Sequence, residues 1–367
     1  MSELFQFADD LGPAKVIGIY EPKLALRAIL VVDNVAPGPA IGGCRMAPDV
    51  TLAECARLAR AMTLKNAAAG LPHGGAKSVI MADPKMPAEP KEFIIRAFAH
   101  AISDIKDYIV GPDMGINEHE MALMHDEIGR AVGLPREIGG IPLDEIGATG
   151  FGVAIAAEVA QDFCDVKLAG AGVAVQGFGA VGKHAARFLA ARGAVLVAAS
   201  DSMGTITNPN GLDIAALIAV KDRGRSVVEF SGGEPRDRDA IIGVDCDIWI
   251  PAARPDVVTI ANVDLLRARL LLQGANIPAT AEAEERMHQR GILSIPDFIA
   301  NAGGVICAAV EYHGGTQSMA MQSIEERIRE NTRAVLETMR KKSITPRRAA
   351  LGLARERVVA AMSYRRF

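Results

Sequence analysis

A two-domain α/β architecture, its second domain a doubly wound parallel sheet, follows from three features of the 367-residue sequence. Apolar runs of strand length alternate with segments of helical periodicity along most of the chain, the pattern of βαβ units. One such run, Gly172-Val-Ala-Val-Gln176, is followed directly by Gly177-Phe178-Gly179-Ala180-Val181-Gly182 and then by a helix pattern through Val181, Ala185, Phe188 and Leu189. Half of the residues are apolar, enough at this length for two cores. The turn-rich connector Ile138-Gly-Gly-Ile-Pro marks the expected boundary, with residues 1–145 in the first domain and 146–330 in the second. Helices from about 331 to 367 are expected to return and complete the first domain.

In chain order, residues 16–35 read as two strands joined at Glu21-Pro22-Lys23, and Gly38-Pro39-Ala40-Ile41-Gly42-Gly43 as a loop against which a ligand can press. Thr51 and Glu54 have capping-box spacing, and Leu52, Cys55, Ala59 and Met62 continue a helix that Gly70 and Pro72 end. Lys65 falls in the last turns of that helix, and Lys77 follows the pair Gly74-Gly75. Two ammonium groups converging on an apolar pocket would disfavour each other's charge and move both from about 10.4 toward neutrality. On spacing alone, the alternative that both lysines are solvated surface charges stays open. His73, beside Gly74, is a further candidate for lining such a pocket.

Lys77 to Met81 reads as a strand, Pro90 to Lys106 as a helix and Tyr108-Ile109-Val110 as a strand that opens into Gly111-Pro112-Asp113-Met114-Gly115, ahead of a helix over Glu118–Met124. Asp113 at a strand end is a turn former or a functional acid. Beyond the connector, Ala148-Thr149-Gly150 starts an Ala-rich helix running to about Phe163, which Thr149 can cap. The glycine run at 177–182, set between strand and helix with Asp201 closing the next strand, is the dinucleotide fingerprint. Its glycines permit a tight turn that brings pyrophosphate to a helix N-terminus, and Asp201 is expected to accept from an adenosine ribose. Three more strand segments are read at 245–251, 270–276 and 292–297, and two amphipathic helices at Ile324–Arg340 and Pro346–Met362.

The net charge of −4 and a pI near 6.0 supply no basic footprint for nucleic acid. No apolar run has spanning length, and the N-terminal Met-Ser-Glu-Leu-Phe lacks a leader pattern, so a cytoplasmic protein with neither nucleic-acid nor membrane partners is expected. Five scattered cysteines and seven dispersed histidines suggest neither a disulfide framework nor a metal site.

The motifs Gly42-Gly43-Cys44-Arg45, Met62-Thr63-Leu64-Lys65 and Gly74-Gly75-Ala76-Lys77 occur in one order, and Gln273-Gly-Ala-Asn276-Ile-Pro and Pro296-Asp-Phe-Ile-Ala-Asn301-Ala-Gly-Gly-Val305 follow downstream. In these the chain resembles the Glu/Leu/Phe/Val dehydrogenase family, and the likeness runs from Gly38 to about Val359. The resemblance implies an N-terminal α/β substrate domain, a Rossmann-type dinucleotide-binding domain and an active site in the cleft between them. It implies reversible oxidative deamination of an L-amino acid to a 2-oxo acid and ammonia, by an enzyme that is commonly oligomeric. Lys65 and the Gly42-Gly43 backbone would hold the α-carboxylate, Lys77 would activate water, and Asp113 would shuttle protons. Thr149 and Asn276 would touch the cofactor, and Asn301 and Val305 the nicotinamide and substrate region. A non-catalytic nucleotide-binding relative is the reading from another class, against which stands the presence of Lys65, Lys77 and Asp113.

Glutamate-specific members of the family carry a lysine before the Gly-Gly and a serine seven residues after the motif asparagine. The matching residues here are Ile41 and Ala308, which implies an apolar substrate of the leucine, valine, isoleucine or phenylalanine type, with glutamate as the alternative. NAD is expected over NADP because Asp201 would repel a 2′-phosphate and Ser202-Met203-Gly204 bring no cation. NADP stays open, since Ser200–Thr205 is worded like glutamate dehydrogenases.

Overall fold

The computed structural model describes residues 5–366. Residues 1–4, part of the segment read above for a leader, lie outside the described residues, as does Phe367. The chain divides into two compact units, Met1–Leu143 with Val305–Ser323 and Leu351–Phe367, and Asp144–Gly304 with Ile324–Ala350.

The first unit is built on β1 (Lys15–Glu21), β2 (Leu26–Asn34), β3 (Ala40–Met46), α1 (Leu52–Ala68), β4 (Gly75–Ile80), α2 (Ala88–Ala101), β5 (Tyr108–Pro112) and α3 (Glu118–Ile128). Its five strands are ordered β1-β2-β4-β3-β5, antiparallel as far as β4 and parallel from β4 to β5. Alternation along β2 explains the layering: Leu26, Ala28, Leu30 and Val32 join the core with Phe98, Met121 and Met124 of α2 and α3, while Val31 packs with Cys55, Ala56 and Ala59 of α1. Gly42 and Gly43, expected in a loop, lie inside β3, because residues 40–44 pair in register with Tyr108–Pro112 of β5. Thr51 caps α1, its side chain accepting from the Glu54 backbone N–H at 3.2 Å, but the Glu54 carboxylate completes no capping box and turns to Arg45.

The seat of α1 on β4 is unusually close. A Cβ at Gly75 would lie 1.9 Å from the Thr63 backbone nitrogen, so only glycine allows this helix-to-strand approach. Around it, Thr63 donates to Asp33 at 2.6 Å and Asn66 donates to the carbonyls of Ile41 and Gly74 at 3.2 and 2.7 Å.

The second unit contains α4 (Leu143–Ile146) from its second residue on, then α5 (Ala148–Ala160), β6 (Gly172–Gln176), α6 (Ala180–Ala190), β7 (Val195–Ser200), β8 (Thr205–Thr207), α7 (Ile214–Asp222), β9 (Glu234–Arg236), β10 (Ile248–Pro251), β11 (Leu270–Leu272), α8 (Ala281–Gln289), β12 (Leu293–Ile295) and α9 (Asp297–Ala300). The strand order is β12-β11-β10-β6-β7-β8-β9, parallel throughout except that β8 runs antiparallel to its neighbours β7 and β9. Neighbouring β6 and β10 lead to opposite halves of the sheet, the topological switch at which doubly wound sheets bind ligands.

The last helices, α10 (Gly303–Tyr312), α11 (Gln317–Lys342) and α12 (Pro346–Met362), do not all complete the first unit as expected for residues 331–367. Residues 324–350 belong to the second, because Arg333 pairs with Asp162, the Arg340 guanidinium lies over the Phe163 ring, and Arg347 pairs with Glu284 and Asp297. Residues beyond 350 belong to the first, where Arg357 donates to the Ala67 and Ala68 carbonyls at the end of α1.

Gly75→Ala should lower the unfolding free energy by about 3 kcal/mol, the scale of overpacking against backbone that cannot yield. Urea denaturation measures it, and a loss under about 0.5 kcal/mol would show that α1 is free to move off β4.

Candidate active site

Lys77 stands on β4, the middle strand of its sheet, with 5% of its surface exposed. Its ammonium donates to Oδ2 of Asp113, the residue that follows β5. The same oxygen receives Nε of Arg45 at 3.1 Å, and Nη1 of Arg45 reaches Oε1 of Glu54 at 2.5 Å. Four side chains from β3, β4, α1 and the end of β5 thus form one chain of charge, Glu54 to Arg45 to Asp113 to Lys77. Gly43 is part of its floor: a Cβ there would lie 3.1 Å from the Lys77 Nζ and 2.9 Å from the Asp113 Cβ.

Burial alone would raise the Asp113 carboxyl, but the Lys77 ammonium and the Arg45 guanidinium outweigh it and hold the group below its usual value. The Asp113 side of the couple is therefore a carboxylate near neutral pH. The pocket's electrostatics differ from the expected repulsion between two lysines, since the partner of Lys77 is an acid. Burial pushes the Cys44 and Cys55 thiols up to about 12, which removes both as nucleophiles near neutral pH. Behind the couple, the buried Tyr108 hydroxyl donates to the Gly42 carbonyl at 3.1 Å and lies 2.8 Å from Ser78 Oγ.

Lys65 lies in the last turn of α1, half-buried. Ile41 on β3 and Ala308 on α10 are buried, with Val305 half-buried one turn earlier on α10. His73 is buried as well, with Nδ1 at 2.9 Å from the Pro39 carbonyl and Nε2 at 3.0 Å from Nε2 of His313, and its imidazole is held below its usual value mainly by burial.

In the second unit, Gly177 leaves β6 with φ of 91°, a value that favours glycine, and the Gly177 and Phe178 N–H groups donate to the Ser200 carbonyl. Gly179 is the N-cap of α6 and nothing lies within 4 Å of where its Cβ would be, so the N-terminus of α6 opens onto free space. Ala180, Val181 and Gly182 form the first turn of α6, where backbone N–H groups are available to an anion. This cradle fits a dinucleotide pyrophosphate. The Phe178 side chain is buried and turned into the fold, so only its backbone can serve the turn.

Asp201 departs from expectation. Its Oδ2 takes Lys221 Nζ at 2.7 Å and the Val227 N–H at 2.9 Å, and its Oδ1 takes Ser226 Oγ at 2.9 Å and the Met203 N–H at 3.0 Å. Burial would raise this carboxyl, yet these donors hold it below its usual value. With both oxygens engaged, Asp201 is a structural tie between β7 and the segment after α7 rather than an open ribose acceptor. A cation also stands beside it, Lys221, which neither Ser202-Met203-Gly204 nor any nearby residue supplies in the sequence.

Thr149 is the second residue of α5, whose N-cap is Gly147 without a side-chain hydrogen bond, so Thr149 does not cap the helix. Its Oγ1 lies 3.2 Å from a Cβ built on Gly304. Asn301 Nδ2 donates to Asn276 Oδ1 at 3.0 Å and to the Gly274 and Ala275 carbonyls at 3.3 Å, which joins two of the sequence motifs, and exposed Asn276 is left at the surface. The buried Oδ1 of Asn301 has no hydrogen-bond partner, an acceptor suited to an amide donor such as a nicotinamide. Arg347 braces both motif segments through Gln273 at 2.9 Å and Asp297 at 2.9 Å.

Lys221 and Arg347 are not singled out by the sequence, Arg45 is read there only as the last residue of its motif, and Glu54 only as a capping-box partner of Thr51. Among the described residues, no group of three or more His, Cys, Asp or Glu is placed to hold a metal, and no helix is long and apolar enough to cross a membrane.

A family model described as Glutamate/Leucine/Phenylalanine/Valine dehydrogenase matches residues 139–366, and one described as Glu/Leu/Phe/Val dehydrogenase, dimerisation domain, matches residues 23–130. The NADP(+)-dependent glutamate dehydrogenase of Pyrobaculum calidifontis is 38% identical, with 91% of this chain and 85% of that protein covered. Among solved structures, the hetero-hexameric glutamate dehydrogenase from Thermus thermophilus in its Leu-bound form has a TM-score of 0.83 at 28% identity, covering 95% of this chain and 89% of that one. L-tryptophan dehydrogenase from Nostoc punctiforme has a TM-score of 0.76 at 26% identity, covering 96% and 98%.

Asp201→Asn should destabilise the chain by about 2 kcal/mol at neutral pH, the scale of charge-assisted hydrogen bonds lost from a partly buried group. Because the folded-state pKa is depressed, the aspartate's contribution is complete above the ordinary carboxylate range and is lost as pH falls through the folded value. The difference between variant and wild type, measured by urea unfolding, should therefore shrink below about pH 4. A difference independent of pH would remove the ionic tie.

Proposed function

The chain belongs to the Glu/Leu/Phe/Val dehydrogenase family, and we propose that it catalyses the reversible oxidative deamination of an L-amino acid to its 2-oxo acid and ammonia. The observation that carries this reading is the Lys77–Asp113 couple, a buried amine in direct hydrogen bond with a half-buried acid beside the strand glycine Gly43.

Lys65 and the Gly42-Gly43 backbone hold the substrate carboxylate. Lys77 acts as the neutral amine in the productive state, and Asp113 takes a proton from the substrate α-ammonium to leave the free amine. The neutral Lys77 amine then takes a proton from the water that attacks the imine carbon, while Asp113 returns a proton to the departing amino group. When bound, the dinucleotide supplies the hydride acceptor. Gly177 to Gly182 hold its pyrophosphate, Thr149 and Asn276 contact it, and Asn301 takes the nicotinamide amide through Oδ1.

The substrate side chain is apolar in this reading. Ile41 and Ala308 replace the two polar groups that receive a distal carboxylate, and burying an unpaired carboxylate costs several kcal/mol. Glu311, three residues beyond Ala308 on α10 and held by the Gly133, Leu134 and Ile141 N–H groups, adds a carboxylate to that side of the helix. Glutamate is the second reading, and the curated relative of Pyrobaculum calidifontis, named a glutamate dehydrogenase, weighs for it. The preference for NAD loses its support from Asp201, because that carboxylate is engaged and Lys221 stands beside it. Either dinucleotide fits this corner. A homo-oligomer is proposed from the dimerisation-domain match over residues 23–130.

Lys77→Ala should cut kcat by about 10² to 10⁴, the range of a lost acid–base group, with dinucleotide affinity nearly unchanged. Asp113→Asn should do the same, and near-normal turnover in either variant would remove that residue from the chemistry. A panel of 2-oxo acids with ammonia, assayed with NADH and with NADPH, should rank 4-methyl-2-oxopentanoate and phenylpyruvate above 2-oxoglutarate by about tenfold or more. Ile41→Lys with Ala308→Ser should reverse that order. Best activity of the wild type on 2-oxoglutarate would select the glutamate reading.

A further inference from the structure

The proton-handling couple faces a second cation that the scheme above leaves without a task. β3 pairs with β4 so that Arg45 is opposite Val79, and with β5 so that Cys44 is opposite Pro112, which carries Arg45 alongside Asp113. Arg45 Nε then shares Asp113 Oδ2 with Lys77. The guanidinium is tethered from its other side by Glu54, whose carboxylate is free for this because Thr51 caps α1 through the Glu54 backbone alone.

We propose that Arg45, held by Glu54, is a positioning residue for the deamination, fixing the Asp113 carboxylate against Lys77 and supplying the second positive charge that faces it. The inference rests on the dehydrogenase reading and extends it by one residue pair. A guanidinium suits this position because it stays charged throughout the working pH range and its planar fork meets two carboxylates at once.

The groups that face Asp113 are Lys77 from β4, Arg45 and Cys44 from β3 and Tyr108 from β5, with Glu54 of α1 behind Arg45. Burial keeps the Cys44 thiol and the Tyr108 hydroxyl neutral, the first pushed up to about 12 and the second well above its ordinary value. The two cations and the Met114 backbone N–H oppose the burial of the Asp113 carboxylate. With Arg45 discharged, burial acts against Lys77 and the Met114 N–H alone, the carboxyl takes up a proton more readily, and the acid limb of kcat/KM moves to higher pH.

The test is the pH dependence of kcat and kcat/KM from about pH 3 to about pH 8, a range that reaches below the ordinary carboxylate value, for wild type, Arg45→Gln, Arg45→Lys and Glu54→Gln. Arg45→Gln should shift the acid limb upward by about one pH unit and lower kcat about tenfold. Arg45→Lys, which keeps the charge, should return most of that shift, and Glu54→Gln should move the limb in the same direction by less. A folded Arg45→Gln with an unmoved limb, or an Arg45→Lys shifted as far as Arg45→Gln, would overturn the inference. If Arg45→Gln does not fold, Glu54→Gln decides: a raised limb supports the role and an unmoved one ends it. A wild type inactive on every 2-oxo acid would instead overturn the dehydrogenase reading, and this inference with it.

Discussion

Lys77 carries its charge on the central strand of a sheet, almost out of contact with water, and removing an ammonium from water costs several kcal/mol unless a counter-charge meets it. Much of the first unit's site follows from meeting that requirement. Asp113 must come within hydrogen-bond reach, so β5 has to end where β4 presents Lys77, and β3 between them must be thin enough for the two side chains to join. Gly43 provides that thinness, because any Cβ there would press on both partners. The acid brought in is itself partly buried and needs its own compensation, which Arg45 supplies from β3 and Glu54 relays to α1.

The same economy of small residues and buried ions organises the second unit. Gly177 and Gly179 clear the end of β6 for an anion at the start of α6, while the acid expected to read the ribose is occupied in joining β7 to α7 and the turn at Ser226–Val227. Arg347, which the Phe298 ring also faces, joins Gln273, Glu284 and Asp297, so segments nearly 75 residues apart are held by one guanidinium. Breaking one partner of such a buried set leaves an uncompensated charge, which makes these residues scaffolds for the loops that carry Asn276 and Asn301.

What the sequence discloses is whatever is written in short range. Lys77, Asp113 and the glycine turn at 177–182 are legible because strand, turn and helix signals flank them within a few residues. The strand β3 is not, since Gly38 to Gly43 has loop composition and its part from Ala40 on becomes a strand only through its neighbours on both sides. The short β8 and β9 carry three residues each, below what period-two reasoning can detect. The tie made by Asp201 is hidden because its partners lie two to 26 residues onward, on elements whose approach depends on the whole sheet. Arg45 escapes for the same reason, its partners being nine and 68 residues away. The domain origin of residues 324–350 is likewise set by ion pairs across long separations, with Glu158, Asp162 and Glu284.

The proposed chemistry takes place at the Lys77–Asp113 couple. The most direct measurement is a crystal structure of the protein with a nicotinamide dinucleotide and a 2-oxo acid bound. The account predicts the substrate carboxylate at Lys65 and Gly42-Gly43, and its C2 carbon within about 4 Å of Lys77 Nζ, close to the separation of reacting groups. A substrate bound with C2 remote from both Lys77 and Asp113 would contradict it.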